Sequence, residues 1–176
     1  QEEPQRQLSD ILSQVQAQDR DGYLGFLDRQ ANRASRDEVA QRVLSSELNR
    51  LNGLENDRTL EEWGARNGNG QTFQALGELG GERALSILLA HDRGQEHRSQ
   101  HALNDAMSGT LNDEGIPIEL RSQAAGSLAH DGPPPRRLSS AARASLVDFA
   151  VQHGDEALKT RIRDTHLQQS PLSDER

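Results

Sequence analysis

Apolar residues recur every three to four positions along most of the 176-residue chain, and they do not alternate with polar residues as in a half-buried strand. Leu8, Ile11, Leu12 and Val15 follow the i, i+3, i+4, i+7 spacing, which predicts an amphipathic helix over residues 7–17. A short second helix is expected around Tyr23. The pattern predicts further helices over residues 71–79, 82–91, 95–109, 117–130, 138–152 and 155–167.

Two further helices are expected from signals for helix ends. Ser35 with Glu38, and Thr59 with Glu62, have the spacing of a capping box, in which a hydroxyl and a carboxylate satisfy the first backbone donors of a helix. Gly53 is a natural end for the first of these helices. The core stripe expected for it comprises Val39, Val43, Leu44, Leu48 and Leu51, and the shorter second helix carries Leu60 and Trp63.

Glycines divide the second part of the chain into helical pairs. The run Asn67–Gly70 breaks the chain but lacks the lysine, hydroxyl and preceding strand of a phosphate-binding loop. Gly80 and Gly81 separate two short helices, so these helices should form an antiparallel hairpin. Residues 81–85 (GERAL) align with residues 154–158 (GDEAL), and a helix beginning near Pro117 lies about midway between them. This spacing indicates a weak internal repeat.

The stretch 74–89 (QALGELGGERALSILL) resembles the HEAT-repeat family, in particular its short phycobilisome-lyase-type units. Weaker similarity extends over residues 98–107, 119–128 and 141–158, whereas the insertions at 112–116 and 132–136 and the first 60 residues depart from the pattern. The resemblance implies an all-α fold, a short α-solenoid of antiparallel helical hairpins used as a binding surface. The alternative is an irregular helical bundle. The expected organisation is an N-terminal helical cap over 1–70, HEAT-like hairpins over 71–167 and a frayed tail over 168–176.

Composition excludes several classes of function. The chain has 28 acidic and 20 basic residues, a net charge of −8, which disfavours nucleic acid as a partner because such binding needs cations against phosphates. It has no cysteine, which excludes disulfides, thiolate zinc sites and cysteine nucleophiles. The longest mainly apolar stretch, 84–90, is too short to span a membrane. We therefore expect a soluble protein without a cofactor. Because Gln1 is not a start methionine, we expect a piece of a longer chain, whose compartment its start does not reveal.

Histidines provide the one candidate metal site. His97, His101 and Asp105 are spaced i, i+4, i+8, so on a helix they share a face and could offer two imidazoles and a carboxylate to a divalent ion. Arg98 stands where a zinc-protease motif needs glutamate. Solvent-exposed polar residues on one helix are the interpretation we prefer, and no metal site is predicted.

Candidate catalytic groups are equally sparse. His130 and Asp131 with Ser139 or Ser140 could form a nucleophile, base and orienting group, but the serines stand near a predicted helix start, where hydroxyls usually cap backbone donors. Residues 136–139 (RRLS) also match a basic-residue-directed kinase site. We predict no catalytic residue. The scarce aromatic residues, Trp63 among them, are expected to anchor the core.

These observations favour a protein-interaction module or scaffold that binds another protein and has no catalysis of its own. The alternative comes from lysine usage, because Lys159 is the only lysine among 20 basic residues and lysine is the ubiquitin acceptor. A bacterial effector domain, secreted or translocated, that acts on or near host ubiquitin enzymes would benefit from such scarcity.

Overall fold

The computed structural model describes residues 2–94, 100–130 and 136–167, and all regular structure within them is helical. The α-helices are α1 (Glu2–Gln18), α2 (Arg20–Arg33), α3 (Glu38–Asn52), α4 (Thr59–Arg66), α5 (Gly70–Leu79), α6 (Gly81–Gly94), α7 (Gln100–Ser108), α8 (Ile118–Leu128), α9 (Ser140–His153) and α10 (Glu156–Ile162). A π-helical turn, Arg163–Leu167, follows α10. The all-α prediction is confirmed. The expected tail over 168–176, the start of the helix predicted from residue 95 and the proline connector 133–135 lie outside the described residues.

The chain divides into two compact units, unit 1 (Gln1–Asn67) and unit 2 (Gly68–Arg176). The sequence placed a boundary a few residues later, after residue 70. Both positions fall in the Asn67–Gly70 segment, where Asn69 caps α5 by accepting a hydrogen bond from the Thr72 amide at 2.9 Å. This cap explains why a new helix begins there.

Unit 1 is organised around α2, which packs against α1, α3 and α4. Tyr23, Leu27 and Trp63 have no exposed surface, so the expectation that Trp63 anchors the core is confirmed. The Trp63 indole Nε1 donates to Asp28 Oδ1 at 2.9 Å. Its polar edge is therefore satisfied, as a buried tryptophan requires.

Both capping-box predictions are wrong. Asp37, not Ser35, precedes α3 and accepts from the amides of Val39 and Ala40 at 3.0 and 3.3 Å. At α4, the Asp57 carboxylate accepts from the Thr59 amide at 2.7 Å. At α3 the aspartate stands closer to the helix start than the predicted serine, whereas at α4 Thr59 is itself the first helical residue and its amide is the donor. In both cases a carboxylate accepts from the first amides, and its charge suits the positive end of the helix better than a hydroxyl does.

The stripe predicted for α3 needs one correction. Val39 is 61% exposed, and Ala40, Leu44, Glu47, Leu48 and Leu51 form the buried face. Val43 is half-buried at the edge of that face. The face that α3 turns toward α2 and α4 therefore runs through Ala40 instead of Val39, and it includes a carboxylate that hydrophobicity would place outside.

Unit 2 consists of helices paired in chain order. The pairs α5–α6, α7–α8 and α9–α10 are in contact, α5 packs on α7, α7 packs on α9, and α6 packs on α8. Gly80, which follows α5, and Gly81, the first residue of α6, have φ values of 67° and 91°, which glycine adopts without steric penalty. Gly77 allows the close approach of α5 to α7, since a Cβ there would lie 3.0 Å from Ala106 Cα.

Two polar contacts hold the connections of unit 2. Buried Arg121 on α8 donates from Nε to the Ile116 carbonyl at 3.0 Å and from Nη1 to the Leu111 carbonyl at 3.2 Å. These bonds fix the insertion that departs from the repeat pattern. Asp92 on α6 accepts from Ser127 on α8 and from Arg136 Nη2 at 2.8 Å. The segment before α9 is thereby joined to two earlier helices.

None of the described helices has the length and apolar character needed to cross a bilayer.

Candidate functional site

A groove with a cavity volume of about 540 Å³ lies between the N-terminal halves of α1 and α3. We call it the α1–α3 groove. Its lining is mostly apolar and consists of Pro4, Leu8, Ser9, Leu12, Val39, Arg42, Val43, Ser46 and Glu47. A volume of this size falls within the range of typical ligand-binding pockets.

The groove exists because α1 and α3 both pack on α2. In their C-terminal halves the two helices are joined by a hydrogen bond from Arg50 Nη2 to Gln16 Oε1 at 2.8 Å. Toward their N-termini, Leu8 and Val39 remain 41% and 61% exposed, and the nearby Ile11 is 56% exposed. Single exposed apolar residues are ordinary, but a group of them beside an apolar groove is typical of an interaction site.

Glu47 lies at the base of the groove with its carboxylate turned into unit 1. Its side chain is 2% exposed, and Oε1 accepts from the Tyr23 hydroxyl at 2.7 Å and from Arg50 Nη2 at 2.9 Å. The Glu47 charge is therefore balanced inside the protein, as burial requires. Arg42, also in the lining, is exposed and makes no ion pair with any described residue.

Burial, then the hydrogen bond and charge of Glu47, raise the pKa of Tyr23 far above its usual value, while Arg50 acts in the opposite direction. Burial alone would lower the pKa of Arg50, but Glu47 and Tyr23 outweigh it and raise that pKa. Tyr23 therefore stays a neutral donor and Arg50 a cation, which is the arrangement that Glu47 needs.

The same network reaches the loop before α4. Gln16 Nε2 donates to Asp57 Oδ2 at 2.7 Å and to Thr59 Oγ1 at 2.9 Å. Burial would raise the pKa of Asp57, but hydrogen bonds from Thr59 and Gln16 and the charge of Arg20 outweigh it and lower that pKa. The C-terminal half of α1 is thus held by several polar contacts, and the groove has one rigid end.

The candidate metal ligands do not form a described cluster. His97 lies outside the described residues, and His101 is exposed on α7. Asp105, one turn after His101, accepts a hydrogen bond from Ser139 Oγ at 2.9 Å. Among the residues that the structure describes, no three histidine or acidic side chains converge on a position for a metal ion.

The candidate nucleophiles have structural partners. Ser139 is the N-cap of α9, with Oγ accepting from the Ala142 amide at 3.1 Å, so the capping interpretation is confirmed for it. Ser140 is the exposed first residue of α9, and His130 is exposed after α8, while Asp131 lies outside the described residues. Arg136, part of the kinase-site match, is bound to Asp92 in an ion pair of low exposure. A kinase would have to break that pair.

Sequence reasoning missed the groove and its network. The signal that could have found them is polar residues inside an apolar stripe, because Glu47 and Arg50 interrupt the series Leu44, Leu48 and Leu51 at helical spacing. Buried ionisable residues are almost always paired.

Comparison with known protein families, curated proteins and solved structures found no match.

Proposed function

We propose that this chain is a protein-interaction module that binds a helical segment of a partner protein in the α1–α3 groove. The observation that carries the proposal is the apolar lining together with the exposure of two of its members, Leu8 and Val39. Covering these side chains would remove apolar surface from water, which is the main driving force of most protein association. No contact among the described residues favours the effector alternative, which stays a prediction from lysine usage.

The dimensions of the groove favour a helix as the bound element. The lining runs from Pro4 to Leu12 on α1 and from Val39 to Glu47 on α3, so on each helix its ends are eight positions apart. At about 1.5 Å per residue this is roughly 12 Å, or two turns of a partner helix. A helix laid in such a groove would place side chains at i, i+3 or i+4, and i+7 against the lining.

For unit 2 we propose a short α-solenoid of HEAT-like hairpins, with an irregular helical bundle as the alternative. The proposal is supported by the order of helix contacts, in which first helices α5, α7 and α9 follow one another and α6 packs on α8. The aligned segments 81–85 and 154–158 also both start second helices, α6 and α10. Each hairpin would bury its apolar face on its neighbours, as in repeat proteins.

Binding in the groove can be tested without knowing the natural partner. A displayed library of helical peptides of about sixteen residues is selected on the full chain, and binding of the enriched peptides is then measured on variants. We expect Leu8→Arg and Val39→Arg to weaken binding at least about tenfold, as expected for residues at the centre of an interface. The matched control is Val151→Arg, because Val151 is also an exposed helical valine but lies on α9. Recovery of no binder, or binding unaffected by Val39→Arg, would contradict the proposal.

The solenoid can be tested by native-state hydrogen exchange. Leu146→Ala removes buried atoms from α9, and Val151→Ala, an exposed change on the same helix, is the control. In a solenoid, stability is a sum of neighbouring interfaces, so protection should fall most in α7–α10 and least in α5–α6. An equal loss of protection in all helices of unit 2 would indicate a single cooperative core instead.

A further inference from the structure

We infer that the segment bound by the α1–α3 groove is an acidic amphipathic helix, with a carboxylate facing Arg42 and apolar side chains facing Leu8 and Val39. The inference rests on the proposed function, because it specifies the chemistry of a partner for the same groove. It is drawn from the charges of the lining.

Among the described lining residues two side chains are ionisable, Glu47 and Arg42, and only Arg42 is available to a partner. Glu47 is buried, and its carboxylate is occupied by Tyr23 and Arg50 at 2.7 and 2.9 Å. Arg42 is exposed and makes no ion pair with the residues that the structure describes. The remaining polar lining residues, Ser9 and Ser46, are neutral. Within the described part of the chain, the groove therefore presents an apolar surface with one charged side chain, Arg42, that forms no ion pair.

The charge of Arg42 determines which side chain a partner can place next to it. A partner with lysine or arginine at this position would place two like charges together while excluding water, and an uncharged partner would remove water from the guanidinium without replacing it. A carboxylate can accept two parallel hydrogen bonds from a guanidinium, a geometry that lysine cannot offer. An acidic residue is thus the group that this edge of the groove selects.

The position of Arg42 on α3 also sets the spacing within the partner. Arg42 stands three residues after Val39 and next to Val43, so its guanidinium emerges beside the apolar lining. On a partner helix, residues three or four positions apart are neighbours. The expected motif is two apolar residues separated by three or four positions, with aspartate or glutamate within one turn of one of them.

The inference is tested by charge exchange on the peptides recovered from the library. We expect the enriched peptides to carry an acidic residue within one turn of their apolar pair. The tightest one is labelled with fluorescein and compared with its acid→Lys version by fluorescence anisotropy. Arg42→Glu should weaken binding of the acidic peptide about threefold to tenfold and should strengthen binding of the Lys peptide.

The matched control is Arg29→Glu, because Arg29 is an exposed arginine of unit 1 on α2 and does not line the groove. It changes the net charge equally, so a general electrostatic effect would appear in both variants. The effect of Arg42 should shrink when salt is raised from about 0.05 M to 0.5 M, since exposed ion pairs are screened. The emission of buried Trp63 verifies that each variant is folded.

The outcomes separate this inference from the proposed function. Enriched peptides without an acidic residue near their apolar pair, or equal effects of Arg42→Glu and Arg29→Glu, would overturn the inference that the partner is acidic. The groove would remain the binding site in that case, provided that Val39→Arg still weakens binding. Binding unaffected by Val39→Arg would overturn both. If wild type prefers the acidic peptide and Arg42→Glu prefers the Lys peptide, the contact between Arg42 and the acidic residue of the partner is established.

Discussion

Replacing Arg50 with methionine tests the polar network that closes one end of the groove. The guanidinium donates to Glu47 at 2.9 Å, to the Tyr23 hydroxyl at 3.0 Å and to Gln16 at 2.8 Å. Methionine keeps much of the side-chain volume but leaves the Glu47 carboxylate, 2% exposed, without its cation. Breaking one side of a buried ion pair typically costs about 3–5 kcal/mol. A unit of this size has a total stability of roughly 3–10 kcal/mol, so we expect Arg50→Met to remove a large fraction of it.

The assay is urea unfolding followed by tryptophan fluorescence. Trp63 is the only tryptophan of the chain and is fully buried in unit 1, so its emission reports the unfolding of that unit alone. With a denaturant slope of about 1–2 kcal/mol per molar urea, a loss of about 3–5 kcal/mol should lower the midpoint by at least about 1.5 M. Arg29→Met, an exposed change on α2, is the control and should shift the midpoint little.

A compensating variant distinguishes the buried charge from simple loss of packing. In Tyr23→Phe/Glu47→Met/Arg50→Met every member of the network is apolar, so no charge is left unpaired. Replacing a whole buried pair with apolar residues is often neutral or stabilising, and we expect the triple variant to be more stable than Arg50→Met alone. The reasoning is refuted if Arg50→Met shifts the midpoint no more than Arg29→Met does, or if the triple variant is the least stable of the set.

Three further predictions concern ionisation and buried polar contacts. Tyr23 is the only tyrosine, so absorbance near 295 nm follows its ionisation alone. In the folded protein its pKa should lie above the usual value, and Glu47→Gln should lower that pKa; ionisation of folded wild type near pH 10 would contradict the burial of Tyr23. The pKa of Asp57 is lower in the folded than in the unfolded protein, so the stabilisation by its carboxylate is complete above the unfolded value of 3.8 and is lost as pH falls through the folded value. In Asp57→Asn the urea midpoint of unit 1 should therefore vary less with pH below about 4 than in wild type, and an equal variation in the two proteins would contradict this expectation. Arg121→Met should destabilise unit 2 by about 1–3 kcal/mol, because the buried carbonyls of Ile116 and Leu111 lose a charged donor. The measurement is thermal unfolding followed by circular dichroism, and the control Arg137→Met, a change of an exposed residue, should leave the melting temperature nearly unchanged.

The positions of most helices could be predicted because their signals are local. Helical spacing of apolar residues located α5, α6, α8 and α9 to within a few residues, and Gly80 with Gly81 correctly separated α5 from α6. By contrast, α1 begins at Glu2, before its predicted start at residue 7, and α2, predicted to be short, has 14 residues. The errors occur where two local signals compete, as at α3, where Asp37 rather than Ser35 provides the cap. Val39, expected in the core, lies on the surface because the face of α3 that packs on other helices runs through Ala40 and Leu44.

The candidate site could not be predicted because its parts are distant in sequence. The Tyr23–Glu47 hydrogen bond joins residues 24 positions apart, and the Gln16–Asp57 bond joins residues 41 positions apart. No periodicity within one helix reports such contacts. The histidine and serine candidates, in contrast, were chosen from local spacing alone, and the described ones have exposed or structural positions.

The sequence by itself determined that this chain is helical and where most of its helices begin and end. It also excluded disulfides, thiolate zinc sites and cysteine nucleophiles, because the chain has no cysteine. These properties follow from apolar spacing, turn residues and composition, each of which acts over a few neighbouring residues. The tertiary structure decided that Glu47 and Arg50 are buried as partners and that α1 and α3 leave an apolar groove beside exposed Arg42. The reason is that burial of a charge or of an apolar face depends on which distant helix covers it, and only packing specifies that helix.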